Sequence, residues 1–125
     1  MALPYGATVL EHFRRPRNQR QLPRPSAARE GFNPLCGDRV RIQLEIVSGT
    51  IKDAAFSANA CAICTASASL LTERVTGLGV AEAARISNDD VVAALDAELP
   101  PGRLECAILP ARAMREALAD VATSA

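Results

Sequence analysis

Cys36, Cys61, Cys64 and Cys106 are the residues whose chemistry goes furthest beyond packing, and Asp38 stands two positions after the first of them. Thiolate suits zinc and iron–sulfur clusters, whereas a carboxylate oxygen is a harder donor and the weaker partner in a soft site. Cys36, Cys61 and Cys106 with Asp38 therefore make a four-ligand set in which one member exchanges easily. Cys61 and Cys64 also form Cys-x-x-Cys, a spacing that serves a redox dithiol or a metal knuckle. A helix beginning there puts both thiols at its positive end, which lowers a thiol pKa. Against these readings stands a bland one: free cysteine resembles a small apolar residue and is often simply buried. His12, the only histidine, lies beside an apolar stripe and reads as a packing or hydrogen-bonding residue.

Whether the thiols meet depends on the strands and helices that carry them. Residues 39–46 alternate polar and apolar without a break, the pattern of a strand with one wet face. Ser48-Gly49 turns the chain, and residues 51–58 place Ala54, Phe56 and Ala58 on one face, completing an antiparallel hairpin. Cys36 lies in Asn33-Pro34-Leu35-Cys36-Gly37-Asp38 before the first of these strands, and Cys61 follows the second. In an antiparallel pair those two ends are neighbours. Pro4 and the stripe Tyr5, Val9, Phe13 mark a short N-terminal helix. Thr65-Ala66-Ser67-Ala68-Ser69 leads through Leu70, Leu71 and Val75 to Gly77, a helix whose small residues allow close packing. Ser87 and Asp90 form a capping box for a helix carrying Val91, Val92 and Leu95, which Leu99-Pro100-Pro101-Gly102 breaks. A last helix over roughly residues 104–121 opens near Cys106, with Pro110 either kinking it or marking its true first turn. Packed on the sheet, that helix can bring Cys106 to the end where Cys36 and Cys61 lie.

A chain of 125 residues has room for one domain with a single core, spanning 1–125. An early sheet followed by helices is an α+β arrangement. Six arginines and three prolines between Arg14 and Arg29 predict an exposed, partly mobile loop over 14–35, read as a solvated linker ahead of a docking surface for an acidic partner. Formal net charge is zero, so nothing global points to nucleic acid. The N-terminus lacks the basic and apolar regions of a signal peptide, and no stretch reaches membrane-spanning length, so a cytoplasmic location is expected. In that reducing setting the cysteines read as metal-binding or reactive thiols rather than a disulfide framework.

Several segments carry a resemblance in order and spacing: Tyr5, Glu11-His12 and Pro16-Arg17-Asn18; the Asn33–Asp38 segment; Ala60-Cys61-Ala62-Ile63 with Thr65–Ser69; and Arg103-Leu104-Glu105-Cys106-Ala107. Together they resemble the signature segments of the NifU, IscU and SufU scaffold proteins over nearly the whole chain. The resemblance implies a three-stranded antiparallel sheet packed against about five helices, and a scaffold that receives persulfide sulfur from a cysteine desulfurase. It further implies that Cys36, Asp38, Cys61 and Cys106 hold a [2Fe–2S] cluster for delivery to apo target proteins, or hold zinc. Cys61 and Cys106 are the expected persulfide acceptors, with Cys64 as an accessory thiol. Glu105 stands where the IscU branch has histidine. The 77–99 stretch lacks the insertion usual in the SufU branch, whereas Leu99-Pro100-Pro101-Gly102-Arg103 is similar to a chaperone-recognised segment of the IscU branch.

Three alternatives remain at this level. One is a zinc-containing SufU-like sulfur acceptor that never builds a cluster, and another is a Cys61/Cys64 oxidoreductase. The oxidoreductase is disfavoured because its motif belongs after the first strand of a βαβ unit. The third is a purely structural zinc domain, which needs a closed site without an exchangeable ligand.

Overall fold

The computed structural model describes residues 6–123. Its centre is a hairpin of β2 (Asp38–Val47) and β3 (Thr50–Asn59), joined in antiparallel register with Ile42 opposite Phe56 and Leu44 opposite Ala54. Ser48 and Gly49 both take positive φ (52° and 78°), as a two-residue turn matching the strand twist requires. Alternation along β2 sends Val40, Ile42 and Leu44 into the core, where they meet Phe56 and Ala54 of β3. A register shift between Glu45 and Ile46 keeps Ile46 opposite Ile51.

The helices lie against the inner face. They are α1 (Ala7–Arg14), α2 (Ala62–Val75), α3 (Val80–Ala84), α4 (Asn88–Leu95) and α5 (Leu104–Thr123). Small residues let α2 sit deep, since Ala66, Ser67, Ala68 and Ser69 are all buried. Ser87 accepts the Asp90 N–H while the Asp90 carboxylate accepts the Ser87 N–H, so both arms of the expected capping box are formed. Pro110 lies inside α5, well past its first turn, and leaves the Cys106 carbonyl without its usual i+4 donor. Of the N-terminal stripe, Val9 is buried but Phe13 is exposed, and His12 takes the second buried place on α1; Pro4 and Tyr5 lie outside the described residues.

The irregular loop expected over 14–35 is corrected in part. Ala27–Asn33 is β1, an antiparallel partner of β2 that gives the sheet order β1-β2-β3. Ahead of it, residues 18–26 form a strap. Phe56 donates to the Asn18 carbonyl (2.9 Å) and Arg20 donates to the Phe56 carbonyl (3.0 Å), so Gln19 makes a parallel bridge on the open edge of β3. The strap then passes over the outer face, where the Leu22 N–H bonds Gln43 Oε1 (3.0 Å), and joins β2 through Ser26. The outer face expected to be wet is thus dry at its middle, with Gln43 and Ala55 buried beneath Leu22. Among the described residues no helix is long and apolar enough to cross a membrane.

Candidate metal centre

Cys36 sits on the loop between β1 and β2. Asn33 shapes that loop: its Oδ1 accepts the Leu35 N–H (3.0 Å) and its carbonyl accepts the Gly37 N–H (2.8 Å). Asn-Pro is a turn signal in the sequence, but this bracing by the Asn33 side chain was not foreseen. Asp38 opens β2 directly opposite Asn33 and is buried. Cys61 is the N-cap of α2, half-buried, and its N–H donates to Asp38 Oδ1 (3.1 Å). Cys106 occupies the first turn of α5 and is fully buried. One residue on, the Ala107 carbonyl accepts the Ser67 hydroxyl at 2.6 Å, a bond that pins this turn against α2.

These elements bring Cys36, Asp38 and Cys106 into one cluster, with one ligand atom from each lying within 4.8 Å of the others. The Cys36 and Cys106 sulfurs are 3.6 Å apart. Two thiolates on one zinc, each bonded at about 2.3 Å in a tetrahedron, stand about 3.8 Å apart, so this pair is close to a chelating separation. Asp38 Oδ2 is buried without a hydrogen-bond partner. An acceptor taken out of water and left unpaired is costly, and a cation beside it removes that cost. The donor set therefore fits zinc or an iron of a cluster. Cys61 meets Asp38 through its backbone N–H and also through its thiol, which is not one of the three atoms of that cluster.

Electrostatics follow the burial. Burial pushes the Asp38 carboxyl up, but the Cys106, Cys61 and Cys36 thiols and the Cys61 N–H outweigh it and hold the group below its ordinary range. The Cys106 thiol is raised by burial and by the adjacent Asp38 and Cys36. Cys64 departs from expectation: it is fully buried, and desolvation, reinforced by Asp38, Cys61 and Cys36, drives its thiol up rather than down. The helix end it shares with Cys61 cannot compensate for the loss of water. Glu105 is exposed and outside the ligand cluster. His12 lies between α1 and α2, where its Nδ1 is 2.7 Å from the Ser69 hydroxyl.

Known proteins resemble this chain in sequence and fold. A protein from Haemophilus influenzae named iron-sulfur cluster assembly scaffold protein IscU is 36% identical over 122 residues, covering 94% of this chain and 95% of that one. The bifunctional protein NifU/MnmA of Rubrobacter xylanophilus is 37% identical over 117 residues; the match takes in 93% of this chain but only 24% of that longer protein. The crystal structure of the N-terminal part of a nitrogen-fixing NifU-like protein from Brucella abortus superposes with a TM-score of 0.81 over 98% of this chain and 96% of that one, at 22% identity, and so shares the fold. The family model described as the NifU-like N terminal domain matches residues 4–124, which leaves almost none of the sequence outside it. With strand order, helix count and sequence all in agreement, this chain belongs to the NifU-like N terminal domain family.

Proposed function

We propose that this chain is an iron–sulfur cluster assembly scaffold, on which iron and sulfide are brought together and from which the finished [2Fe–2S] unit is passed to apo target proteins. The observation that carries the reading is the convergence of Cys36, Asp38 and Cys106 around the unpartnered, buried Asp38 Oδ2, in a chain similar to proteins named for cluster assembly. Cys61 is assigned as the fourth ligand, reaching the cargo from the N-cap of α2 by a side-chain rotation. Sulfur arrives as the persulfide of a cysteine desulfurase. A thiolate of this chain, Cys61 or Cys106, attacks the terminal sulfur; the S–S bond to the desulfurase breaks, and the desulfurase thiolate leaves. Of these two acceptors Cys61 is the more open to an incoming group. Leu35 is 91% exposed beside Cys36, and Leu104 is 51% exposed beside the turn that carries Cys106, so the mouth of the site has an apolar rim suited to a protein partner. Leu99–Arg103 remains a candidate chaperone segment on resemblance alone.

The same donors suit zinc, and exposed Glu105 in place of histidine supports a zinc-containing sulfur acceptor as the second reading. Reconstitution of metal-free protein with iron, cysteine and a desulfurase under anaerobic conditions separates the two. A visible thiolate-to-iron absorption band, about two irons and two sulfides per cluster, and delivery to an apo ferredoxin are expected. Tight zinc with no such band selects the second reading. A folded chain that takes up neither ends both.

A further inference from the structure

The sequence offers Cys61-x-x-Cys64 as the redox pair, and the structure points elsewhere. Cys64 has no exposed surface, so an oxidant from solvent does not reach its sulfur, and no sulfur contact like that of Cys36 with Cys106 is formed to it among the described residues. Cys36 is exposed on its loop, and its sulfur stands 3.6 Å from that of Cys106 although 70 residues separate them in sequence. A disulfide needs an S–S distance of about 2.05 Å, so the two sulfurs must close by roughly 1.5 Å. The loop through Pro34, Leu35 and Gly37 is solvent-exposed and can supply that movement, while Cys106 stays fixed in α5.

We infer that in the metal-free chain Cys36 and Cys106 form a reversible disulfide under peroxide, so that the site exists either loaded with metal or locked by a covalent bond. The chemistry runs in two steps. The Cys36 sulfur attacks hydrogen peroxide; the O–O bond breaks, an S–O bond forms, and the departing hydroxide takes up the thiol proton as water. The Cys106 sulfur then attacks the Cys36 sulfenic acid; the S–O bond breaks, the S–S bond forms, and the Cys106 proton leaves with the hydroxide as a second water. Two thiols have lost two electrons and one peroxide has gained them. A reducing dithiol returns the two electrons by exchange and is itself left as the disulfide. Oxidation occupies two of the thiols assigned to metal, which makes locking and loading mutually exclusive. The burial of Asp38 beside this pair means that a locked site keeps its carboxylate but loses two soft donors, and so loses zinc or iron.

The inference concerns the metal-free thiols and stands whether or not the chain builds clusters. The test is disulfide mapping of the full chain, stripped of metal, reduced, treated with one to a few equivalents of hydrogen peroxide and then alkylated. Tryptic cleavage puts Cys36 in residues 30–39 and Cys106 in residues 104–112, while Cys61 and Cys64 share residues 53–74, so each pairing has its own mass. The expected result is a cross-link between the first two peptides within one chain, alkylated Cys61 and Cys64, and full reversal by dithiothreitol. Prior loading with zinc is expected to slow the cross-link by roughly tenfold or more, because oxidation must wait for release of the metal. A Cys64→Ser variant is expected to cross-link as wild type does. A Cys61–Cys64 or Cys36–Cys61 disulfide as the main product overturns the inference. So does advance of Cys36 to the sulfinic acid with Cys106 still free, or a cross-link found only between chains. Failure of zinc to bind in a separate titration would count against the proposed function and leave the mapping result unchanged.

Discussion

Asp38 is the one oxygen donor among the assigned ligands, and its two oxygens have different duties: Oδ1 holds the Cys61 N–H, and Oδ2 is unpartnered. Asp38→Asn keeps an acceptor for the Cys61 N–H but removes the charge, whereas Asp38→Ala removes both. We expect both variants to stay folded and to bind zinc through the thiols, and both to release a cluster to an apo target at least about tenfold more slowly, ~1.4 kcal/mol on the barrier. Metal content and transfer rate measured on the same preparation check this; transfer at the wild-type rate by Asp38→Asn would show that the charge does not gate release. His12 gives a second expectation. Burial lowers its pKa, Arg17 lowers it further, and Glu73 and Glu11 oppose without prevailing. The unfolded chain therefore takes up the proton first as pH falls, so the stability that neutral His12 contributes is present above about pH 6.5 and is lost as pH drops through and below that value. Thermal midpoints between pH 7.5 and 5.5 should fall more steeply for wild type than for His12→Gln; parallel curves would refute the assignment. At this scale the sequence marked out Cys36, Asp38, Cys61 and Cys106 as candidates by residue type and by converging element ends, and the structure brings Cys36, Asp38 and Cys106 together. It misjudged the Cys64 thiol because spacing locates a helix end but not how deeply it is buried.

Elements position these groups, and β1 packs closely against α5 at Gly31. A Cβ on Gly31 would stand 3.0 Å from Leu109 Cδ1, and Leu109 lies one turn beyond Cys106 on α5. Gly31→Ala must push α5 away from the sheet or twist the Leu109 side chain. A cost of about 1–3 kcal/mol in urea denaturation is expected, together with weaker zinc binding, because the displaced helix carries Cys106. Loss of stability with unchanged zinc affinity would mean that the first turn of α5 is held independently, through Ser67. The hairpin and the capping box of α4 were legible in the sequence because alternation and local side-chain bonds specify them within a few residues. β1 was not. Ala27–Asn33 contains a glycine and no β-branched residue, and only its two end residues are buried, so its strand form comes from pairing with β2 and from the helix beneath it. α3 was missed for a similar reason: it spans only Val80–Ala84, and Val80 is tied to the hairpin tip by a bond to the Gly49 carbonyl.

Over the whole molecule, the site draws on the β1–β2 loop, the β3–α2 corner and the start of α5, so its ligands assemble only when the long-range packing is in place. The strap lies outside that dependence. It is held by backbone bonds at Asn18 and Arg20, by Gln43, by the Ser26 bonds to β2, by side-chain bonds from Asn18 to Thr72 and from Arg20 to Asp53, and by one buried side chain, Leu22, whereas the strands beneath it share a ladder of nine residue pairs and pack into the core. Such a segment forms a separate cooperative unit of lower stability. In hydrogen–deuterium exchange, the amides of Arg20, Leu22 and Phe56 should lose protection together and at low denaturant, while those of Ile42 and Leu44 wait for global unfolding. Each brief opening frees the edge of β3 and uncovers Gln43 and Ala55, so the lifetime of the open strap, more than the stability of the core, sets how often this chain offers a bare strand edge to its neighbours.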